Sequence, residues 1–215
     1  MMDKLKRDWL QFLTHILSVL PLVKLVFDYS QHNLTANPIA EITLRTGLYS
    51  LVLLVLSLAC TPVANLIAQN ATLKIQIQRL RRPLGLYGFI YAALHFLNFI
   101  AVDYRFNFDL LQKDVLGKVH IWIGLAALLL MIPAAVTSTK GWARRLGKNW
   151  ERLHRLVYPA ALLSALHFLL IVKADYREPA LYVIIVILLL LVRLRWVRGL
   201  VGWLERRYGK GNQSI

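Results

Sequence analysis

Five histidines, His15, His95, His120, His154 and His167, stand within or at the ends of long apolar runs, whereas His32 falls in a polar stretch beside Gln31 and Asn33. An ionisable side chain inside hydrocarbon is expensive, so each of the five is a functional candidate by default. The plain alternative is a neutral imidazole held in a helix-to-helix hydrogen bond. Spacing separates them. His95 stands 13 residues beyond Arg82 and His167 stands 12 beyond Arg155; along helices these are roughly 20 and 18 Å. On helices running the same way the two imidazoles reach nearly equal depth, as two axial ligands of one iron require. Neutral imidazole suits iron, and a bis-histidine site with no open position suits an electron carrier.

His154 stands 13 residues before His167, roughly 20 Å nearer the basic end of the same helix. On an ideal helix the two side chains point about 140° apart, and Pro159 between them offers a place to re-aim one end. The residues 13 and 14 before His95 are Arg82 and Arg81, so a partner for His154 must come from elsewhere. His15, near the start of the first apolar run, is the candidate. His120 is expected in a hydrogen-bonding or alternative-ligand role. A zinc reading has little support, since the sequence lacks HExxH, CxxC and any close carboxylate-histidine cluster. The single Cys60 forms neither an internal disulfide nor a thiolate cluster and reads as a small buried hydrophobe.

Positioning these side chains falls to the apolar runs. The chain of 215 residues is 58% hydrophobic with mean hydropathy +0.53, too apolar for a soluble domain of this length. Charge-free runs span Trp9 to Val23, Thr46 to Thr72, Pro83 to Val102, Val119 to Thr139, Leu156 to Val172 and Pro179 to Val192. About 20 helical residues cross a bilayer core, and long Lys or Arg stems extend the shorter runs to the interface. The expectation is an all-α, six-helix transmembrane bundle: helices at about 9–28, 46–68, 84–102, 119–137, 154–172 and 179–197. Asn37-Pro38 marks a break, and Thr61-Pro62 a kink or an early end of the second helix. No small-residue cleavage pattern follows the first run, so it is expected to be a retained helix and not a signal peptide. Short loops leave no room for a soluble domain; residues 1–215 read as one membrane domain, and any catalytic domain belongs to another chain.

The net charge of +15 invites a nucleic-acid reading, which its distribution excludes. Lys and Arg concentrate on alternate connections, 18 at the N-terminus, second loop, fourth loop and tail against 6 on the intervening loops. That alternation is the signature of cytoplasmic loops and puts both termini inside. Most of the six tryptophans, Trp9, Trp122, Trp142, Trp150, Trp196 and Trp203, sit near expected interfaces and suit an aromatic belt. A transporter with hydrogen-bonded histidines is the rival from another class. Against it, Asp28, Asp103 and Glu178 fall at helix ends and provide no acidic path through the bilayer.

Thr137-Ser138-Thr139, the stretch Leu146-Gly147-Lys148-Asn149-Trp150-Glu151-Arg152-Leu153-His154-Arg155-Leu156-Val157-Tyr158, and His167 resemble the MsrQ family. This is the haem-binding membrane subunit of a methionine sulfoxide reductase system, within the wider ferric-reductase-like transmembrane group. Arg79 to Gly88 with His95 resembles its third helix, and His15 with Pro21 its first. The resemblance covers residues 9–198. It implies a bacterial inner-membrane protein carrying one or two haem b groups on His95, His154 and His167, with FMN associated. It also implies electrons drawn from the quinone pool or a cytoplasmic flavin donor for a periplasmic molybdopterin-dependent catalytic subunit. Methionine oxidation is reversible, so repair outside the cytosol needs reducing power sent across the membrane. Arg81 and Arg82 stand where the wider group pairs a second histidine on the third helix, which leaves the haem number at one or two. A b-type cytochrome subunit of another membrane reductase, of the ferric-chelate kind, is the nearest rival.

Overall fold

A computed structural model describes residues 2–67 and 70–193. The chain runs through α1 (Met2–Ser30), α2 (Pro38–Ile67), α3 (Ala71–Arg79), α4 (Arg81–Asn98), α5 (Phe108–Leu116), α6 (Val119–Val136), α7 (Lys140–Leu146), α8 (Lys148–His154), α9 (Val157–Ile171) and α10 (Arg177–Leu191). A π-helical turn, Phe99–Asp103, extends α4. Among the described residues, five stretches are long and apolar enough to cross a membrane: Trp9–Ser30, Pro38–Ile67, Ala71–Asp103, Val119–Val136 and Lys148–Ile171. The 15 residues of α10 reach roughly 22 Å, short of a 30 Å hydrocarbon core. Residues 194–197 of the expected sixth helix, Trp196, Trp203 and the basic tail lie outside the described residues.

α2 is the central element. It packs against α9 and α10 through Leu51, Leu58, Ala161, Ala165 and Val186, against α4 through Leu53, Cys60, Leu84 and Tyr91, and against α6 and α9 through Leu54, Met131 and Ala160. Ala160, Ala161 and Ala165 are fully buried. In lipid, apolar burial gives helices little reason to associate, so small residues that admit a close backbone approach carry the packing. The outward faces of α1 and α10 are apolar and exposed, as at Phe12, Ile16, Val23, Ile184 and Leu188, which suits a lipid-facing surface. Cys60 is buried, its thiol donating to the Leu56 carbonyl.

Helix α2 begins eight residues earlier than charge-free runs suggest. Asn37 caps it, its side-chain oxygen accepting from Ala40 N–H at 3.1 Å, with Pro38 in the first turn. The charges this adds are mutually paired: Arg45 bonds Asp28 of α1 at 2.7 Å and also bonds Glu41, and Lys24 reaches Asp28 at 3.0 Å. The helix also continues through Pro62 to Ile67. Pro62 has no N–H for the Leu58 carbonyl one turn earlier, and the Arg193 guanidinium donates to that carbonyl while lying 5.0 Å over the Tyr158 ring.

Pro21 interrupts α1 in a related way. The Tyr91 hydroxyl of α4 accepts from Leu22 N–H at 3.0 Å and donates to the Ser18 carbonyl at 2.8 Å. It bridges the two groups that an uninterrupted helix joins directly. The expected fifth helix is divided as well. α8 ends at His154 and α9 begins at Val157, because Pro159 cannot donate to the Arg155 carbonyl; Tyr158 N–H does so instead, at 3.0 Å.

Candidate functional site

His95 projects from the last turn of α4 and His167 from the last part of α9. Their ring centroids lie 6.0 Å apart with the planes at 86°. His95 Nδ1 lies 2.8 Å from the carbonyl of Thr43 on α2, and His167 Nδ1 lies 2.6 Å from the carbonyl of His120 on α6. A carbonyl only accepts, so both Nδ1 atoms carry the proton and, in the neutral ring, both Nε2 atoms keep a lone pair. That is the state in which imidazole binds a metal, its other nitrogen oriented by an outer partner. Two rings bonded to carbonyls and not to each other differ from a plain helix-to-helix histidine pair.

Both rings line one predominantly apolar cavity of about 820 Å³, with His120, Asp103, Gly47 and Gly124 also in its wall. Ligand cavities usually span about 300–1,000 Å³. The glycines fix how closely the rings approach the helices behind them. A methyl group on Gly47 would stand 3.0 Å from His95 Nδ1, and one on Gly124 2.6 Å from His167 Cε1. Each imidazole therefore lies directly on bare helix backbone. His120 contributes its carbonyl, and its ring centroid is 6.2 Å from that of His167.

A second cavity of about 1000 Å³ opens at the other end of the bundle. Arg79, Arg81, Arg82, Lys140 and Arg155 line it together with His154. His154 Nδ1 donates to the Trp150 carbonyl at 3.0 Å, the Trp150 ring stacks on the imidazole at 3.9 Å, and Nε2 is buried without a hydrogen-bond partner. Trp150 is held in turn by its Nε1–H bond to the Thr137 carbonyl, 3.0 Å, a duty beyond an interfacial belt. Met131 lines both cavities and forms part of the wall between them.

The structure thus brings His95 and His167 together and leaves His154 at a separate cavity. His15 is not brought to His154: its Nδ1 lies 3.1 Å from the Tyr87 hydroxyl, and it lines neither cavity. His32 sits in the α1–α2 connection with a positive φ of 53°. Among the described residues, no group of three or more His, Cys, Asp or Glu side chains is placed to hold a bare metal ion. Gly47, Gly124, the Thr43 carbonyl and the Trp150 stack are parts of the site that histidine spacing does not reveal. The available sequence signal was glycine inside a helix, a poor helix former that asks for a reason.

Residues 46–165 match the family described as "Ferric reductase like transmembrane component". The chain is 43% identical over 184 residues to the "Protein-methionine-sulfoxide reductase heme-binding subunit MsrQ" of Xanthomonas axonopodis pv. citri (strain 306), covering 83% of this chain and 82% of that protein. The protein of that description from Rhodospirillum rubrum is 45% identical over 177 residues, 82% and 83% of the two chains. That from Xanthomonas campestris pv. campestris (strain 8004) is 46% identical over 157 residues, 73% and 70%. On this likeness the chain belongs to the MsrQ family within the ferric-reductase-like transmembrane group.

Proposed function

We propose that this chain is the haem-binding membrane subunit of a methionine sulfoxide reductase system, in which His95 and His167 would hold a haem b. The supporting observation is the paired geometry of the two rings. Both rings face one apolar cavity of about 820 Å³ with centroids 6.0 Å apart, and each Nδ1–H is taken by a helix carbonyl, which leaves each Nε2 lone pair available to a metal. Two histidines are too few for a bare tetrahedral metal but suffice where a macrocycle supplies the remaining nitrogens. Haem, when bound, supplies one-electron redox chemistry near neutral pH without proton uptake at the metal. The chain's residues do the rest. Thr43 and His120 carbonyls fix the tautomers, the apolar wall excludes water, and Arg79, Arg81 and Arg82 give the opposite cavity a field that attracts anions.

His154, with its buried Nε2, is the candidate ligand of a second haem b at that basic cavity; His15, bonded to Tyr87, is left out of the ligand set. The reading continues as one membrane domain, residues 1–215, of six helices with α10 completing the bundle, both termini cytoplasmic and the basic cavity facing inward, in a bacterial inner membrane. Quinol or a cytoplasmic flavin donor delivers electrons, FMN associates with the chain, and a periplasmic molybdopterin-dependent subunit receives them to repair oxidised envelope proteins.

The test is a reduced-minus-oxidised visible spectrum of the purified full chain with haem quantified per polypeptide. A b-type bis-histidine spectrum is expected, with His95→Ala and His167→Ala each losing the haem that those two residues hold. A colourless protein from haem-replete cells, or full haem in both variants, overturns the ligand assignment.

A further inference from the structure

Gly47 lies four positions beyond Thr43 on α2, and Gly124 four positions beyond His120 on α6. The first pair meets His95 from α4, the second meets His167 from α9. In each case one helix presents a carbonyl that takes the imidazole Nδ1–H and, one turn later, a glycine on which the ring lies. The α2/α4 and α6/α9 pairs thus build one device twice, facing a single cavity. We propose that Gly47 and Gly124 are paired positioning residues that set where the Nε2 atoms of His95 and His167 stand. The inference rests on the ligand roles proposed above.

The consequence is graded. Ordinary carbon contact begins near 3.4 Å, so Ala at 124 displaces the His167 ring by 3.4 − 2.6 = 0.8 Å, and Ala at 47 displaces His95 by 3.4 − 3.0 = 0.4 Å. A ring bonded at 2.6 Å to His120 cannot withdraw that far without loosening the bond. Losing an outer-shell partner typically costs 10–100-fold in metal affinity. Alanine is the better helix former, so a weakened helix would not explain such a loss. Gly117, with nothing within 4 Å of an added methyl group and lining neither cavity, is the control.

The experiment purifies the full chain as wild type, Gly47→Ala, Gly124→Ala and Gly117→Ala, and measures haem per polypeptide, the visible spectrum and the low-temperature EPR of the oxidised form. Gly124→Ala is expected to bind haem at least about 10-fold more weakly. Gly47→Ala is expected to retain haem with a shifted low-spin EPR signal, and Gly117→Ala to match wild type. Melting points of the haem-free proteins, read through exposure of buried Cys60, separate misfolding from misplacement. Wild-type haem content and EPR in both substituted cradles overturn the inference, as does a lowered melting point with an unmoved signal. If Gly124→Ala does not accumulate, Gly47→Ala decides alone: an unshifted signal refutes the cradle. A wild-type protein without haem refutes the ligand roles instead.

Discussion

Replacing Tyr91 with Phe removes one oxygen from the centre of the bundle and should destabilise it out of proportion to its size. Tyr91 is 1% exposed, and its hydroxyl takes Leu22 N–H at 3.0 Å and gives its proton to the Ser18 carbonyl at 2.8 Å. Without it both backbone groups lose a partner in a place water does not reach. A buried unsatisfied group costs about 1–3 kcal/mol, while membrane proteins relax enough that polar contacts average about 0.6 kcal/mol. Two groups, with α1 partly closing at Pro21, give about 1–3 kcal/mol between these limits. A chain of this length loses roughly 2–4 °C per kcal/mol, so the melting point should fall by about 2–12 °C. Cys60, the only cysteine and 6% exposed, supplies the assay: a thiol-reactive dye in detergent reports when the α2–α4 interface opens. Tyr87→Phe is the comparison, since its hydroxyl meets His15 at 3.1 Å on an exposed side and its loss should cost under about 1 kcal/mol. A Tyr91→Phe protein melting within about 1 °C of wild type would refute the bridge.

Other consequences are as direct. Arg45→Gln leaves the Asp28 carboxylate with Lys24 alone and should lower the melting point, and adding Asp28→Asn should restore part of the loss; a double variant worse than the single one rules out pairing as the cause. His154→Ala should leave the His95–His167 spectrum in place, and haem per polypeptide should halve if two haems are present; loss of all haem would show that the cavities are not independent. For topology, cysteine introduced at Arg144 in a Cys60→Ser background should resist an impermeant thiol reagent in intact spheroplasts and react after lysis, and reaction before lysis would invert the orientation.

Much of this architecture was legible in the apolar runs, and the departures have local causes. Equal depth placed His95 and His167 side by side, because a helical rise is nearly constant. The 13-residue offset from His167 likewise puts His154 at the other, basic cavity, and the interruption between His154 and Val157 falls where Pro159 offered a place to re-aim that end. Charge-free runs began α2 at Thr46 since they count charges singly, whereas Asp28, Glu41 and Arg45 enter the structure as partners. Pro62 read as a kink or an early end because the residue that satisfies the Leu58 carbonyl, Arg193, lies 135 positions from it. The short helices α3, α5 and α7 lie in connections that carry no long apolar run. The cavities arise between helices and have no signature on any one of them.

The choice of outer partner for the histidines follows from the solvent. A soluble metal site commonly orients its imidazoles with a carboxylate, but an ionised carboxylate within hydrocarbon costs several kcal/mol unless it is itself paired. A helix carbonyl is already present, needs no counter-charge, and has a second lone pair beyond its i+4 bond. Thr43, His120 and Trp150 each give that lone pair to a different histidine. The restriction is steric, since an imidazole reaches a helix carbonyl only where the side chain one turn onward is out of the way. At Thr43 and His120 that side chain is absent, at Gly47 and Gly124. At Trp150 the acceptor is on the histidine's own helix, four residues back, and no cross-helix clearance is needed. Glycine at the two positions is therefore the counterpart of a missing carboxylate, and a carboxylate introduced at either should expel the ring it was meant to hold.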